Sequence, residues 1–439
     1  MRKSGTKMRS RSSAGAILAG RLASRTDGRN GSLSGQKIPN DRPAGPRHSR
    51  RSGIFRSPRR RLGIALTGGS LARSHGTRYP IVQGPMTRVS DVAPFALAVA
   101  KSGGLPMLAL ALMRGPQVKG LLCECKNLMG GFSWGVGILG FVPPTCARSN
   151  WRLSVKSGLH SRSSRVAVPN MPRNWKTREL PHICMLPTPQ LLELFVGRGS
   201  RRFIFEGREC GGHVGPLSSF CLWESMIEKL LEVPEKAAPE IHVLFAGGIH
   251  DGRTGAMIGA LATPLARRGM KIGVLMGAAY LFTSEAVNCG AIVPKFQEEA
   301  LKCTRTINLE TGPRPRFAVH RYSLCKGILR NPPRAQSEKM ERQEISQTLD
   351  SLTLGRLRVA SKGLMRKEDN LVSVNESEQF NYGMYMIGQA ATLRESLVPL
   401  EELHRDVSEG SVRDPRRSEP DRRAGKQPAH LLRTSPSWA

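Results

Sequence analysis

From Tyr79 to about residue 290 the chain alternates short, unbroken apolar runs with longer helix-like stretches, and Gly or Pro punctuates the junctions. Unbroken apolar runs are what a strand shows when both of its faces are buried, and strands buried on both faces belong to parallel sheets covered by helices. Parallel strands need crossovers, so the alternation itself implies repeated β–α units. Strands are expected at Tyr79–Gln83, Leu105–Leu110, Trp134–Leu139, Ile183–Leu186, Phe203–Glu206, His242–Ala246 and Lys271–Met276. Helices are expected between them at Val92–Ser102, Gln117–Met129, Pro189–Gly197, Phe220–Val233 and Gly252–Leu261. Seven such strands fit a doubly wound sheet or a closed eight-stranded barrel with one strand hidden.

The hidden unit falls between Gly140 and Leu180, where an Arg/Ser-rich stretch over residues 145–180 replaces the expected texture and only Arg165–Val168 reads as a strand. A missing strand would expose two sheet edges. The same basic composition marks both ends of the chain. Residues 1–75, 145–180 and 413–439 together carry +27 of the net +33, so the remaining 301 residues are close to neutral. The ends therefore read as a disordered basic tail over 1–75 and a second over 413–439, too poor in apolar residues to offset their ordering entropy. Phe55 is the single aromatic residue of the first tail, so base stacking is not supported and a nucleic-acid partner is not expected, although a basic binder is the alternative from a different class. The first tail is also compatible with an organellar transit peptide.

No apolar run is long enough to span a bilayer. The nine Cys are scattered, without paired CxxC sets, which argues against a disulfide scaffold or a zinc site and for a reducing, cytoplasmic setting; no metal is expected. Residues 321–412 read as a helical extension, with helical periods over 336–352 and 384–407, and Tyr382, Met384, Tyr385 and Met386 read as packing residues.

Chemistry concentrates at strand ends, where parallel barrels carry their sites. Phe203–Gly215 reads FIFEGRECGGHVG, an apolar strand running into a Gly-dense loop with His213, a side chain that titrates near neutral pH. His242–Arg253 reads HVLFAGGIHDGR: Gly247 and Gly248 follow a buried strand, and Asp251 is placed to cap the next helix, whose N-terminus would add to a phosphate cradle. Lys271–Tyr280, KIGVLMGAAY, repeats the pattern with Gly277 and Ala278, and Tyr79–Met86, YPIVQGPM, ends the first strand in Gln-Gly-Pro-Met.

QGPM, EGRECGGH, AGGIHDGR and MGAAYLFTSEAV, in this order over about Tyr79–Ala300, resemble the nitronate monooxygenase (2-nitropropane dioxygenase) family, which includes FMN-dependent enoyl reductases of fatty-acid and polyketide synthesis. The resemblance implies an FMN-binding (β/α)₈ TIM barrel over 76–320. It implies that Gln83, Gly84, Pro85 and Met86 line the flavin together with Glu206, Gly211 and Gly212. Gly247, Gly248, Gly277 and Ala278 would hold the flavin phosphate, and His213 would be the catalytic residue. The chain departs from the family at Ala278, where a Thr is usual, at Gly137, where an Asn is frequent, and at Cys210, where Ala is usual. Residues 379–411 resemble the segment that follows such barrels in synthase-associated members. The implied activity is oxidation of nitronates or nitroalkanes with O₂. The alternative is enoyl reduction on carrier-bound acyl chains, with NAD(P)H as a transient electron donor and an acyl carrier protein or synthase modules as partners. A third alternative is an inactive chain, broken at 145–180.

Overall fold

The computed structural model describes residues 69–111, 113–138, 165–167, 182–212, 214–310, 319–323, 355–368 and 370–410. The first described element is helix α1 (Ser70–His75), followed by β1 (Ile81–Gln83), α2 (Ala93–Lys101), β2 (Leu105–Ala109), α3 (Gly115–Met129) and β3 (Gly135–Ile138). Next come β4 (Arg165–Ala167), β5 (His182–Leu186), α4 (Pro189–Gly197), β6 (Arg202–Glu206), α5 (Ser219–Leu231), β7 (His242–Ala246), α6 (Gly252–Leu261), α7 (Thr263–Arg267) and β8 (Lys271–Met276). Each of these strands pairs in parallel with the next in chain order, and β8 also pairs with β1, which closes the ring. Arg165–Ala167 lies between β3 and β5 in register with both, so the basic stretch supplies the strand whose absence would have exposed two edges. The rest of 145–180 lies outside the described residues. No helix is described on either side of β4, so the eightfold β–α repeat is seen in part.

The alternating side chains of the strands build two cores. Val82, Met107, Ile183, Ile204, Leu244 and Leu275 fill the inside of the ring. Phe203, Phe205, Val243 and Phe245 point outward, into the layer formed with Trp223, Met226 and Leu230 of α5. Trp223 uses its indole N–H on the Phe205 carbonyl at 3.2 Å, so the largest side chain in that layer leaves no polar atom stranded. Leu71 of α1 joins the inner core from below, and Gly273 of β8 is small for that reason: a Cβ there would lie 2.3 Å from Leu71 Cδ2. The expectation of a disordered tail through residue 75 is corrected here, because Leu71, Ala72 and His75 are buried along one side of α1.

After β8 the chain continues through α8 (Ser284–Asn288), α9 (Pro294–Leu301), β9 (Ile307–Glu310), β10 (Val319–Ser323), α10 (Arg356–Lys362), β11 (Leu364–Lys367), β12 (Asn370–Ser373), α11 (Glu376–Tyr382), β13 (Tyr385–Met386) and α12 (Leu400–Glu409). The extension is therefore mixed, not helical: β13, β10 and β9 form an antiparallel sheet and β11–β12 a hairpin. The helix expected over 384–407 is realised only in α12, because Met384 and Tyr385 are buried in extended backbone while Tyr382 is half exposed. The period expected over 336–352, and the tail from 413, lie outside the described residues. Among the described residues no helix is long and apolar enough to cross a membrane.

α12 is held to the barrel by a buried histidine. His404 accepts a hydrogen bond from the Tyr280 hydroxyl on Nε2 at 2.8 Å, which leaves Nδ1–H to donate to the Ser102 carbonyl at 2.9 Å. Gly104 makes room for it, since a Cβ there would sit 2.7 Å from His404 Cε1. At the amino-terminal end of β7, His242 stacks on His75 with ring centroids 5.4 Å apart. Burial pushes the His75 and His404 imidazoles down to about 4, and burial with Arg202 beside it pushes His242 lower still. In the unfolded chain these groups titrate near 6.5, so below that pH the unfolded state binds protons that the folded state refuses, and stability falls as pH falls. Denaturant unfolding is expected to lose up to about 1.4 kcal/mol per pH unit for each of the three between pH 6.5 and about 4. His404→Gln should lower stability at pH 7 yet flatten that slope. A wild-type stability that is level from pH 6.5 to 4.5 would contradict the assignment.

Candidate active site

The ladder aligns the carboxyl ends of four strands. Glu206 is opposite Ala246, Ala246 opposite Leu275, and Gln83 opposite Met276, so the next residues, Gly207, Gly247, Gly277 and Gly84, share one rim. Gly84 donates its N–H to the Met276 carbonyl at 2.8 Å, and a Cβ at Gly84 would press on Leu275 Cδ2 at 2.8 Å. The Gln83 amide is consumed inside the sheet: its Oε1 accepts the Met107 N–H at 3.2 Å and its Nε2 donates to the Gly84 carbonyl. Pro85 lies over Gly137, where a Cβ would fall 2.2 Å from Pro85 Cβ. Gly137 is thus a packing requirement of this chain and not simply a lost side-chain contact. Met86 reaches across the rim, with Sδ 3.6 Å from the position of a Cβ on Gly277.

Ser219, the first residue of α5, organises the neighbouring loop and was not singled out in the sequence. A Cβ on Gly207 would meet its Oγ at 2.0 Å and one on Gly247 at 2.1 Å, so both glycines exist to admit this hydroxyl. Glu209 fixes it, accepting the Ser219 N–H on Oε2 at 2.7 Å and the hydroxyl on the same oxygen. A carboxylate at the first turn of a helix is favourably placed. Glu206, at the end of β6, is a different acid: burial pushes its carboxyl up to about 8, so it is protonated at neutral pH.

Gly247 and Gly248 have φ of +129° and +77°, in the left-handed region that favours glycine. The N–H groups of Gly247, Gly248, Gly277 and Ala278 make no backbone hydrogen bond among the described residues. Four donors on two adjacent turns form a nest for an anion. The helix behind them does not add to it as expected from the sequence. Asp251 caps α6, taking the Thr254 N–H at 2.8 Å, and Asp406 of α12 takes the Gly252 N–H at 3.2 Å. Two carboxylates occupy that N-terminus, so the cradle rests on the turns alone. His250, a second residue the sequence reading passed over, accompanies them: it is buried, and its Nδ1 lies 2.8 Å from the Gly248 carbonyl.

Gly211 and Gly212 pack against the extension. A Cβ on Gly211 would meet Gly388 N at 2.8 Å, and one on Gly388 would meet the Glu209 carbonyl at 2.7 Å, so backbone packs on backbone. The Gln389 N–H donates to that carbonyl at 3.0 Å, and Met386 Sδ lies 3.3 Å from the position of a Gly212 Cβ. His213 lies outside the described residues; Gly212 and the buried Val214 stand on either side of it. The unpartnered N–H groups on two adjacent glycine turns, with Met86 beside Gly277, are a donor set that suits the phosphate end of a flavin. Among the described residues no group of three or more His, Cys, Asp or Glu is arranged to hold a metal ion.

No protein-family model matches the chain. Two curated relatives, from Mycobacterium tuberculosis and Rhodococcus jostii, are both named (3aS,4S,5R,7aS)-5-hydroxy-7a-methyl-1-oxo-octahydro-1H-indene-4-carboxyl-CoA dehydrogenase. Each is 26% identical over 234 residues, which is 52% of this chain and 60% or 59% of the relative, so the match spans well under two thirds of their length. Among solved structures the chain is similar to FabK from Thermotoga maritima, with TM-score 0.60 and 20% identity, over 78% of this chain and 95% of that one. It is also similar to nitroalkane oxidase from Streptomyces ansochromogenes, with TM-score 0.54 and 16% identity, over 77% and 97% of the two chains. The enoyl reductase domain of MlnA from Bacillus amyloliquefaciens gives TM-score 0.54 and 13% identity, over 79% and 97%. These structural likenesses establish a shared fold.

The two glycine turns should respond differently to a methyl group. Gly247→Ala collides with Ser219 and strains the backbone, and a loss of roughly 2–5 kcal/mol in urea unfolding is expected. Gly277→Ala, at φ −125° with only Met86 nearby, should cost under about 1 kcal/mol. Equal losses at the two positions would contradict the wedge described for Ser219.

Proposed function

We propose that the chain is an FMN-dependent oxidoreductase built on a (β/α)₈ barrel, acting on an α,β-unsaturated acyl thioester. The observation that carries the reading is the set of four unpartnered N–H donors at Gly247, Gly248, Gly277 and Ala278, beside Met86 and the Gly211–Gly212 loop. The name of the carboxyl-CoA dehydrogenases favours a thioester substrate, and that of the MlnA enoyl reductase domain favours enoyl reduction.

Bound at this rim, FMN would supply two-electron redox chemistry. The chain's own residues have separate tasks. The two glycine turns bind the phosphate and fix the ring's distance from the rim. Pro85 and Met86 present an apolar surface to the ring and exclude water. His213 delivers the proton that accompanies hydride addition across the substrate C=C bond, a role suited to an imidazole because its ordinary pKa is near working pH. NAD(P)H is the source of the hydride and binds transiently, and an acyl carrier protein or synthase module is a candidate carrier of the thioester. The second reading is oxidation of nitronates with O₂, with His213 accepting the nitroalkane proton, and the likeness to nitroalkane oxidase favours it.

The test is turnover by the full chain reconstituted with FMN. NAD(P)H oxidation that requires a trans-2-enoyl thioester and leaves O₂ untouched is expected, and His213→Ala should lower kcat by about 10²–10⁴ while keeping its flavin. O₂ uptake with nitrite release from a nitronate, without thioester turnover, would select the second reading. Neither activity in a flavin-loaded protein would overturn both.

A further inference from the structure

A cavity of about 430 Å³ opens beside the candidate active site, between the loop after β1, the start of α3, and the α10–β11–β12 part of the extension. Its wall carries Arg88, Arg114, Arg358, Lys362 and Arg366 against one carboxylate, Asp91. Asp91 is already committed. It pairs with Lys362 at 2.9 Å, and Lys362 also donates to the Gly290 and Ala291 carbonyls at 3.0 and 2.8 Å. Four arginines from three distant stretches of sequence thus converge on one hollow without a second acid in its lining. The guanidinium of Arg358 is held below its ordinary range by burial and then by Arg88 and Arg366, so the cluster repels itself.

The local backbone places Arg88 on the cavity wall at an energetic cost. Arg88 has φ +63°, a left-handed conformation that costs a non-glycine residue about 1 kcal/mol. The turn that imposes it is tied by the Met86 carbonyl, which accepts the N–H of Val89 at 3.0 Å and of Ser90 at 2.9 Å. Met86 and Arg88 are therefore two residues apart on one rigid turn, the first facing the rim and the second lining the cavity. α3 adds its amino-terminal end, with Arg114 as N-cap, and the partial positive charge of that end has the same sign. Leu364 and Leu371 supply apolar wall beside the charges.

We propose that this cavity binds the phosphate groups of a phosphorylated pantetheine thioester, holding the substrate by its handle while the acyl end lies at the rim. This rests on the thioester reading given above. Guanidinium forks match phosphate oxygens two at a time, and a wall carrying four arginines suits a multiply charged phosphate ester better than a single carboxylate. The handle is carried either by free coenzyme A or by a carrier protein, and both present the same phosphopantetheine chemistry.

Calorimetric titration of the full chain with coenzyme A, 4′-phosphopantetheine, adenosine 3′,5′-bisphosphate and unphosphorylated pantetheine tests the proposal without turnover. Binding of the phosphorylated compounds, weakening with salt and absent for pantetheine, is expected. Arg358→Gln and the doubly substituted Arg114→Gln/Arg366→Gln should each weaken binding by roughly tenfold or more. Arg114 and Arg366 are exposed, so the double variant keeps the test sound even where Arg358→Gln folds poorly. Binding by adenosine 3′,5′-bisphosphate points to free coenzyme A as the source, and binding by 4′-phosphopantetheine without it points to a carrier protein. Absence of binding to the wild-type chain, equal binding by pantetheine, or affinity unchanged in both variants overturns the proposal. Phosphate-ester binding in a chain that takes up no FMN would reject the oxidoreductase reading and leave the cavity's assignment standing. FMN uptake without phosphate-ester binding would do the reverse.

Discussion

The Ser219 hydroxyl occupies space that a side chain at either Gly207 or Gly247 would fill, and the candidate site is built outward from that contact. Because the hydroxyl is wedged there, β6 and β7 must both end in glycine, and α5 must begin at the rim. Because Glu209 clamps it, the GRECGG loop turns back over the strand ends instead of extending away from them. The turn at Gly247–Gly248 then adopts positive φ and leaves its N–H groups without backbone partners. Close packing of this kind tolerates little change, since overfilled interiors cost 1–3 kcal/mol even when neighbours move.

The extension completes the rim. Gly388 lies against Gly211 with backbone in contact, Met386 approaches Gly212, and Gln389 bonds the Glu209 carbonyl. α12 is anchored through His404 to Tyr280 and Ser102, and through Asp406 to the start of α6. The same extension supplies Arg358, Lys362 and Arg366 to the cationic cavity. A segment that follows the barrel in sequence therefore borders both the candidate site and the cationic cavity.

The barrel strands were legible because burial on both faces writes an unbroken apolar run, and all eight expected spans, Arg165–Val168 included, agree with the strands to within two residues at either end. β4 was the weakest of them, since Arg165–Ala167 is three residues long inside a stretch whose composition says nothing of a sheet. The glycine turns were legible as positions, but their reasons were not: Ser219 and Glu209 act through contacts between residues 10 apart that no local pattern encodes. The N-terminus of α6 looked like an anion site because Asp251 was read only as a cap. Asp406, which shares that N-terminus, comes from 154 residues away. The extension reads as helical in sequence because Met and Tyr at 382–386 match a helical period equally well, and pairing of Tyr385–Met386 with β10 is what makes that stretch extended. The cavity left no local signal at all, because its charges are dispersed among ordinary surface arginines in the sequence.

The proposed flavin site depends on the turns at Gly247–Gly248 and Gly277–Ala278 holding the phosphate. Parallel fluorescence titrations of the full chain with FMN and with riboflavin, which lacks the phosphate, address it most directly. FMN should bind one per chain and riboflavin roughly a hundredfold or more weakly, as expected when several backbone donors meet a charged group. Equal affinity for the two, or no uptake of FMN, would contradict the claim.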